Sequence, residues 1–145
     1  MLARLRLLAF GGLIVVLLVG CGGSKKSDSS NSDAEVQAAC SGAPLSAAPN
    51  LPSKFPTFDS VTYTKEATQG PTQIVEGYFE GDVKAAHDEV KAAFERAGYS
   101  VLFDEVEEHD SEVSWKGQGR SGQVALRDEC GDSNRTFVHI TNRPA

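Results

Sequence analysis

One amphipathic helical segment between strand-like runs constrains the fold of this 145-residue chain more than any other feature. Its apolar residues recur with the 3.6-residue period of an α-helix and form one face: Val83, Ala86, Val90, Ala93, Phe94 and Ala97. Asp82 precedes the segment as a predicted N-cap, and Gly98 follows it as a predicted C-cap glycine. Because the opposite face is charged, we expect a helix that packs on one side of an apolar layer.

Strand-like runs on both sides of this helix supply the apolar layer. Two precede it and four follow it, at residues 61–66, 72–80, 99–107, 112–116, 123–128 and 136–141. Turn residues such as Gln69-Gly70-Pro71 separate neighbouring runs and predict hairpins. The sequence therefore predicts an α+β fold of order ββ-α-ββββ, with one main amphipathic helix packed on one face of a mostly antiparallel, twisted sheet.

Residues 35–145 are predicted to form a single domain, because a chain of this length has no room for a second core. A short helix is expected at 34–40, with Asp33 as its N-cap. A proline-rich lead-in follows at 42–60, and its prolines disfavour a regular helix or a central strand. Leu51, Phe55 and Phe58 are expected to pin this lead-in to the domain surface.

The first residues of the chain have the layout of an export signal. Arg4 and Arg6 form a positive start, and the apolar run that follows, 7–19, is shorter than the about 20 residues that cross a bilayer. The run ends in Leu18-Val19-Gly20-Cys21, which resembles the lipobox of bacterial lipoproteins. The resemblance covers residues 1–21. It implies cleavage between Gly20 and Cys21 and a diacylglyceryl group on the Cys21 thiol, carrying fatty acids such as palmitate.

The lipoprotein resemblance sets the expected organisation and location of the chain. Residues 1–20 would be the signal peptide, and 21–34 would be the lipidated cysteine with a flexible tether rich in Gly, Ser, Lys and Asp. The domain would then be lipid-anchored to a cell membrane and face its extracytoplasmic side, where two acyl chains anchor a protein stably. An ordinary secretory peptide that happens to contain a cysteine and an uncleaved signal anchor are the alternatives.

Charge and cysteine content narrow the partners. The net charge is −6, and removing residues 1–20, which hold Arg4 and Arg6 and no acidic residue, makes it −8. This balance disfavours nucleic acids and anionic lipid headgroups as partners, since both need positive surfaces. With Cys21 lipidated, Cys40 and Cys130 are predicted to form one disulfide, as expected for an exported domain. Two free thiols or a metal pair are the alternatives, which no CxxC spacing supports.

The remaining motifs do not indicate an enzyme, a cofactor site or a metal site. Gly117 to Gly122 spells GxGxxG, but strand-like residues flank it on both sides, so it is interpreted as a hairpin loop and not a dinucleotide site. The acidic segment from Glu105 to Glu112 is interpreted as a solvated hairpin tip, with cation binding left open. The three histidines, His87, His109 and His139, are interpreted as structural or surface residues.

Together these features predict a membrane-anchored envelope lipoprotein with a small, non-catalytic binding domain. The expected partner is an envelope protein, and the expected surface is the sheet face that the helix does not cover, or the sheet edge. A carrier of a small ligand or metal is the alternative, with a pocket between helix and sheet or at the acidic tip near His109. A cell-wall-active enzyme is a further alternative.

Overall fold

The computed structural model of the chain describes residues 29–131 and 134–145. Its elements follow in this order: α1 (Ser29–Ser41), β1 (Val61–Gln69), β2 (Thr72–Glu80), α2 (Val83–Arg96), β3 (Ser100–Val106), β4 (Asp110–Gly117), β5 (Arg120–Arg127) and β6 (Arg135–Pro144). The α+β class with an antiparallel sheet is confirmed. The predicted order ββ-α-ββββ is incomplete, because α1 precedes the sheet.

Helix α1 is longer than the sequence pattern predicts. It begins at Ser29, inside the segment expected to be a tether, so Asp33 lies within the helix and is not its N-cap. Its inward side chains are few and small, which is why periodicity alone located it poorly. The predicted signal peptide and the first part of the tether, including Gly20 and Cys21, lie outside the described residues.

The sheet has six antiparallel strands in the order β1-β2-β6-β5-β4-β3. The last strand, β6, is inserted between β2 and β5, so the hairpin β1–β2 and the meander β3–β4–β5 are joined through it. Strands β1 and β3 are the two edges. Helix α2 connects β2 to β3 and packs against β3, β4 and β5 on one face.

The GxGxxG segment forms the β4–β5 hairpin, as predicted. Gln118 and Gly119 are its two turn residues, with φ angles of 52° and 72°, which is the conformation of a tight hairpin turn. Gly117 and Arg120 already pair with each other across the two strands. No helix follows this turn, so the segment lacks the strand–turn–helix setting in which glycines bind a pyrophosphate.

The main core fills the space between α2 and the sheet. Its centre is a group of packed aromatic rings in which Phe94 stacks on Trp115 at a centroid distance of 5.1 Å. The lead-in adds Phe55 and Phe58 to this group, and both are buried more deeply than surface pinning requires. Tyr99 completes the group, and its ring packs edge-on against Trp115 with a centroid distance of 5.4 Å. The lead-in is therefore part of the core on this face.

Helix α1 packs on the opposite face of the sheet, over β1, β2 and β6. A smaller apolar cluster forms there between Val36 and Ala39 of α1 and Tyr78 and Phe137 of the sheet. The predicted disulfide Cys40–Cys130 is present, with an S–S distance of 2.03 Å, and it ties the end of α1 to the loop between β5 and β6.

Candidate functional site

The two edge strands of the sheet differ in how far the rest of the chain covers them. The lead-in runs along β1, where the amide of Leu45 donates to the carbonyl of Tyr63 at 2.8 Å. Farther along, the amide of Asn50 donates to Glu66, and the side chain of Gln73 donates to the carbonyl of Asn50. Edge β1 is therefore occupied by the chain itself, while β3 pairs with β4 on one side and faces solvent on the other.

A β-bulge turns apolar side chains outward on β3. Val101 pairs with Trp115 and Phe103 pairs with Ser114, so Leu102 is the extra residue between them. Phe103 lies opposite Ser114 on the face away from α2, and Leu102 lines the same face. Their exposed fractions are 64% for Leu102 and 48% for Phe103. A bulge re-aims side chains in this way, and here it places two adjacent apolar residues at an exposed edge.

Beyond β3, the same face of β4, of the adjoining part of β5 and of the end of β6 at Thr141 and Arg143 is polar and is left open by α1. Cross-strand pairing arranges it in rows. Lys116 is opposite Ser121, and Ser121 is opposite Arg143. The next row contains Ser114, Gln123 and Thr141. These side chains and Leu102 line a groove of about 530 Å³. We call the two rows, together with Leu102 and Phe103 and the adjoining pair Glu105 and Glu112, the open face.

Charge changes sign along the open face. Lys116 and Arg143 at one end form no ion pair with any of the residues that the structure describes. At the other end, Glu105 on β3 lies directly opposite Glu112 on β4. The hydroxyl of Ser114, between the two ends, donates to Glu112 at 3.0 Å. The open face is thus cationic at the β4–β5 turn and anionic toward the β3–β4 turn.

The acidic segment that follows Glu105 is a solvated hairpin end. His109 lies there, 3.5 Å from Asp128 and 3.9 Å from Glu108, with all three side chains exposed. Across residues 29–131 and 134–145, no three His, Cys, Asp or Glu side chains are grouped so that they could hold a metal ion. The acidic residues are evident in the sequence, but their separation depends on how the strands pair.

A polar cluster lies next to α1 on the covered part of this face. Glu76 is buried and accepts from Nδ1 of His139 at 3.0 Å, while the Lys65 ammonium lies 2.9 Å from its second oxygen. The hydrogen bond from His139, followed by that from Lys65, lowers the pKa of the Glu76 carboxyl against the opposing effect of burial. A cavity of about 190 Å³ adjoins this cluster and is lined in part by Val36 and Phe137. Its size suits water molecules and not a sizeable ligand.

On the α2 side, the structure brings together a serine, a histidine and an aspartate that the sequence did not connect. Nδ1 of His87 lies 2.7 Å from Oγ of Ser111, and its Nε2 lies 3.6 Å from Asp104. Lys91 binds the same Asp104 carboxylate at 2.6 Å and, through this hydrogen bond, lowers the pKa of that carboxyl. Three residues in this order resemble a nucleophile, a base and its orienting acid.

Burial decides how this arrangement is interpreted. Ser111 is only 4% exposed and His87 is equally buried, so the hydroxyl has no open side for an acyl substrate. The contacts instead join α2 to β3 and β4 through one shared histidine. The interpretation of His87 as a structural residue therefore agrees with its surroundings. The long separations in sequence explain why no local pattern could have revealed its partners.

Neither α1 nor α2, the helices within the described part of the chain, is long and apolar enough to cross a membrane. Comparisons of the chain with protein-family models, with curated proteins and with solved structures found no match. No function therefore comes to this chain from a relative.

Proposed function

We propose that this chain is an envelope lipoprotein, anchored by a diacylglyceryl group on Cys21 and facing the extracytoplasmic side of a cell membrane. Its folded domain is a non-catalytic binding module, and its partner is another envelope protein. The lipobox-like sequence ending in Gly20 and Cys21 supports the anchor. The Cys40–Cys130 disulfide is consistent with an exported domain.

The observation that carries the binding role is the bulge on β3. Soluble domains normally protect an edge strand by covering it, shortening it, bulging it or placing charges on it. Edge β1 is covered by the lead-in. Edge β3 has a bulge and the charged residues Asp104 and Glu105, and its bulge also presents Leu102 and Phe103 to solvent on adjacent positions. An exposed apolar pair with a polar rim has the composition of a protein interface on a small scale.

The charges around β3 indicate the chemistry of the partner. Glu105 and Glu112 face each other across the strands, and like charges in that position destabilise a sheet. A lysine or arginine from a partner would relieve this repulsion while an apolar side chain covers Leu102 and Phe103. The proposed partner therefore offers an extended segment with apolar and basic residues, which pairs along β3 as an added strand.

Site-specific photo-crosslinking in cells tests this proposal. A photoreactive residue replaces Leu102 or Phe103 in one set of proteins and Ala48, an exposed residue of the lead-in, in the matched control. We expect one crosslinked protein from the two β3 positions and none from Ala48. We also expect the crosslink from Phe103 to be lost when Leu102→Asp is added, and to weaken with Cys21→Ser, which removes the anchor.

The substitution Leu102→Asp is a suitable probe because the side chain is exposed. Its effect on the free energy of unfolding should stay within about 0.5 kcal/mol. If neither β3 position gives a crosslink in cells whose membranes contain the protein, the binding role of β3 is wrong. If the crosslink survives Cys21→Ser at full strength, the partner does not require the anchor, and the anchoring part of the proposal loses its support.

A further inference from the structure

One end of the open face is cationic, whereas β3 presents apolar side chains, so this end suggests a second kind of ligand. Lys116 and Arg143 lie on β4 and β6, with Ser121 of β5 between them in one cross-strand row. Neighbouring strands are about 4.8 Å apart, so the two cationic residues start roughly 10 Å apart. Both have long side chains that can converge above the Ser121 hydroxyl.

The groove that contains this row is rich in hydrogen-bond donors. The ammonium of Lys116 and the guanidinium of Arg143 have no anionic partner among the residues that the structure describes. The hydroxyl of Ser121 and the side-chain amide of Gln123 add neutral donors on the same face. Arginine and lysine around a hydroxyl form a donor set that matches the oxygens of a phosphate or a carboxylate.

The negative charge of the protein makes this local arrangement informative. The chain carries 20 acidic and 14 basic side chains, yet these two cations share a groove of about 530 Å³ with no acidic side chain among its described lining residues, which also include Ala145, the last residue of the sequence. The closest acid on the same face, Glu112, is two rows away, or about 13 Å along the strand at 3.3–3.4 Å per residue. Leu102 borders the groove and offers a small apolar contact beside the cations.

We propose that the groove over Lys116, Ser121 and Arg143 binds a small ligand through a phosphate or carboxylate group. The anionic group lies between Lys116 and Arg143 and accepts from the Ser121 hydroxyl. Hydroxyl groups on the rest of the ligand meet Gln123 and Thr141 in the next row. Two cations are too few to hold a membrane surface, since each lysine or arginine contributes about 1 kcal/mol there, so the ligand is a discrete molecule.

This site does not depend on the proposed protein partner. Its anion-binding residues belong to β4, β5 and β6, with Leu102 only at its border, whereas the proposed partner contacts Leu102 and Phe103 of β3. Failure of photo-crosslinking at β3 would leave the groove untouched, and failure of the groove to bind an anion would leave the β3 interface untouched.

Titrations followed by NMR test the proposed site. The full chain, labelled with ¹⁵N and purified in a non-ionic detergent, is titrated separately with inorganic phosphate, glycerol 3-phosphate, glucuronate and glucose. We expect saturable shifts of the Ser121 and Gln123 amide signals with the three anions and none with glucose. A short-chain phosphatidylglycerol forms a further arm, and stronger binding of it than of glycerol 3-phosphate would identify a lipid headgroup as the source of the phosphate.

Two double variants make the test specific. Lys116→Ala with Arg143→Ala should weaken anion binding by at least about tenfold, since hydrogen bonds to charged groups are the strong ones. Lys54→Ala with Arg96→Ala removes two exposed cations elsewhere and should leave binding unchanged. All four side chains are outside the core, so both variants should keep the melting temperature of the parent. Three results would overturn the proposal: no saturable shift at Ser121 with any anion, equal weakening in both variants, or equal binding of glucose.

Discussion

At the scale of single residues, Glu76 is the group that links stability to pH. Its carboxylate is buried and binds both His139 and Lys65, and the hydrogen bond from His139 is the larger cause of its lowered pKa. A carboxyl whose pKa is lower in the folded protein stabilises the fold above its unfolded value, about 4.3. This contribution is lost as the pH falls from that value through the folded pKa.

We therefore expect the free energy of unfolding to decline more steeply with acidification in the parent than in Glu76→Gln. At neutral pH, the substitution should cost about 1–2 kcal/mol, because His139 loses its anionic partner and Lys65 keeps only the contact with Glu35 at 3.7 Å, while both side chains are partly exposed and can be hydrated. Urea unfolding at several pH values measures both effects. Glu95→Gln on the exposed side of α2 is the control. Equal pH dependence in Glu76→Gln and the parent would contradict the prediction.

Ser111 provides a second prediction at this scale. Ser111→Ala leaves a buried nitrogen of His87 without its partner, so we expect a loss of about 1–3 kcal/mol in unfolding free energy. Ser53→Ala, at an exposed position of the lead-in, should have no measurable effect. Because Ser111 is buried, a fluorophosphonate that labels serine hydrolases should not react with the folded protein. Labelling that disappears in Ser111→Ala would show that the three residues are catalytic after all.

At the scale of secondary-structure elements, the pairing of β5 with β6 depends on a glycine. A Cβ atom at Gly122 would lie 1.9 Å from the carbonyl oxygen of Thr141 and 2.7 Å from the Trp115 ring. Gly122→Ala should therefore force β5 away from β6 and cost roughly 3 kcal/mol or more. Gly119→Ala is the matched control, because only its φ of +72° is unfavourable and no atom lies within 4 Å. It should cost about 1 kcal/mol in the same urea titration, and a ranking in the opposite order would refute this account of the β5–β6 contact.

The elements also show how much of this fold could be predicted from the sequence. Helix α2 and the six strands follow from local periodicity and turn residues, so their existence was predictable. The insertion of β6 between β2 and β5 was not, because it depends on pairing between residues far apart in sequence. The length of α1 was missed because tertiary contacts and the disulfide hold it, with few apolar residues to mark it.

The sequence could predict that one face of the sheet is polar, but not which side chains meet on it. The alternation in β4 separates Val113 and Trp115 from Ser114 and Lys116, so a polar face opposite the helix could be expected. The meeting of Lys116 with Arg143 requires the strand order and the register. The outward direction of both Leu102 and Phe103 requires the bulge, which no sequence signal marked.

At the scale of the whole molecule, one face of the sheet is covered along its length, and the other is covered by α1 over part of its area only. Helix α2 and the lead-in cover the first completely enough to bury Trp115, Val124 and Leu126. Helix α1 covers the second mainly over β1, β2 and β6. The part that α1 does not cover is the open face. It runs from the apolar residues of β3 to the cationic groove, and both proposed binding sites lie on it.

We expect the disulfide to be the main tie that keeps α1 on the sheet, because α1 contributes few apolar side chains to its own packing. Cys40 and Cys130 are 90 residues apart in sequence, and closing a loop of that size restricts the unfolded chain by about 4.6 kcal/mol. We expect Cys40→Ala with Cys130→Ala to lower the free energy of unfolding by about this amount. The loss should begin at α1, since Val36 and Ala39 are its remaining buried contacts in the smaller cluster.

Hydrogen exchange measured residue by residue separates the local loss of α1 from the unfolding of the whole domain. In the double alanine variant, the amides of α1 should lose protection at denaturant concentrations at which those of β4 and β5 keep it, because the core under α2 is independent of the disulfide. The parent protein should lose protection in α1 and in the sheet together, since the disulfide fixes α1 to the β5–β6 loop. If α1 stays as protected as β5 in the variant, packing and not the disulfide holds this helix on the sheet.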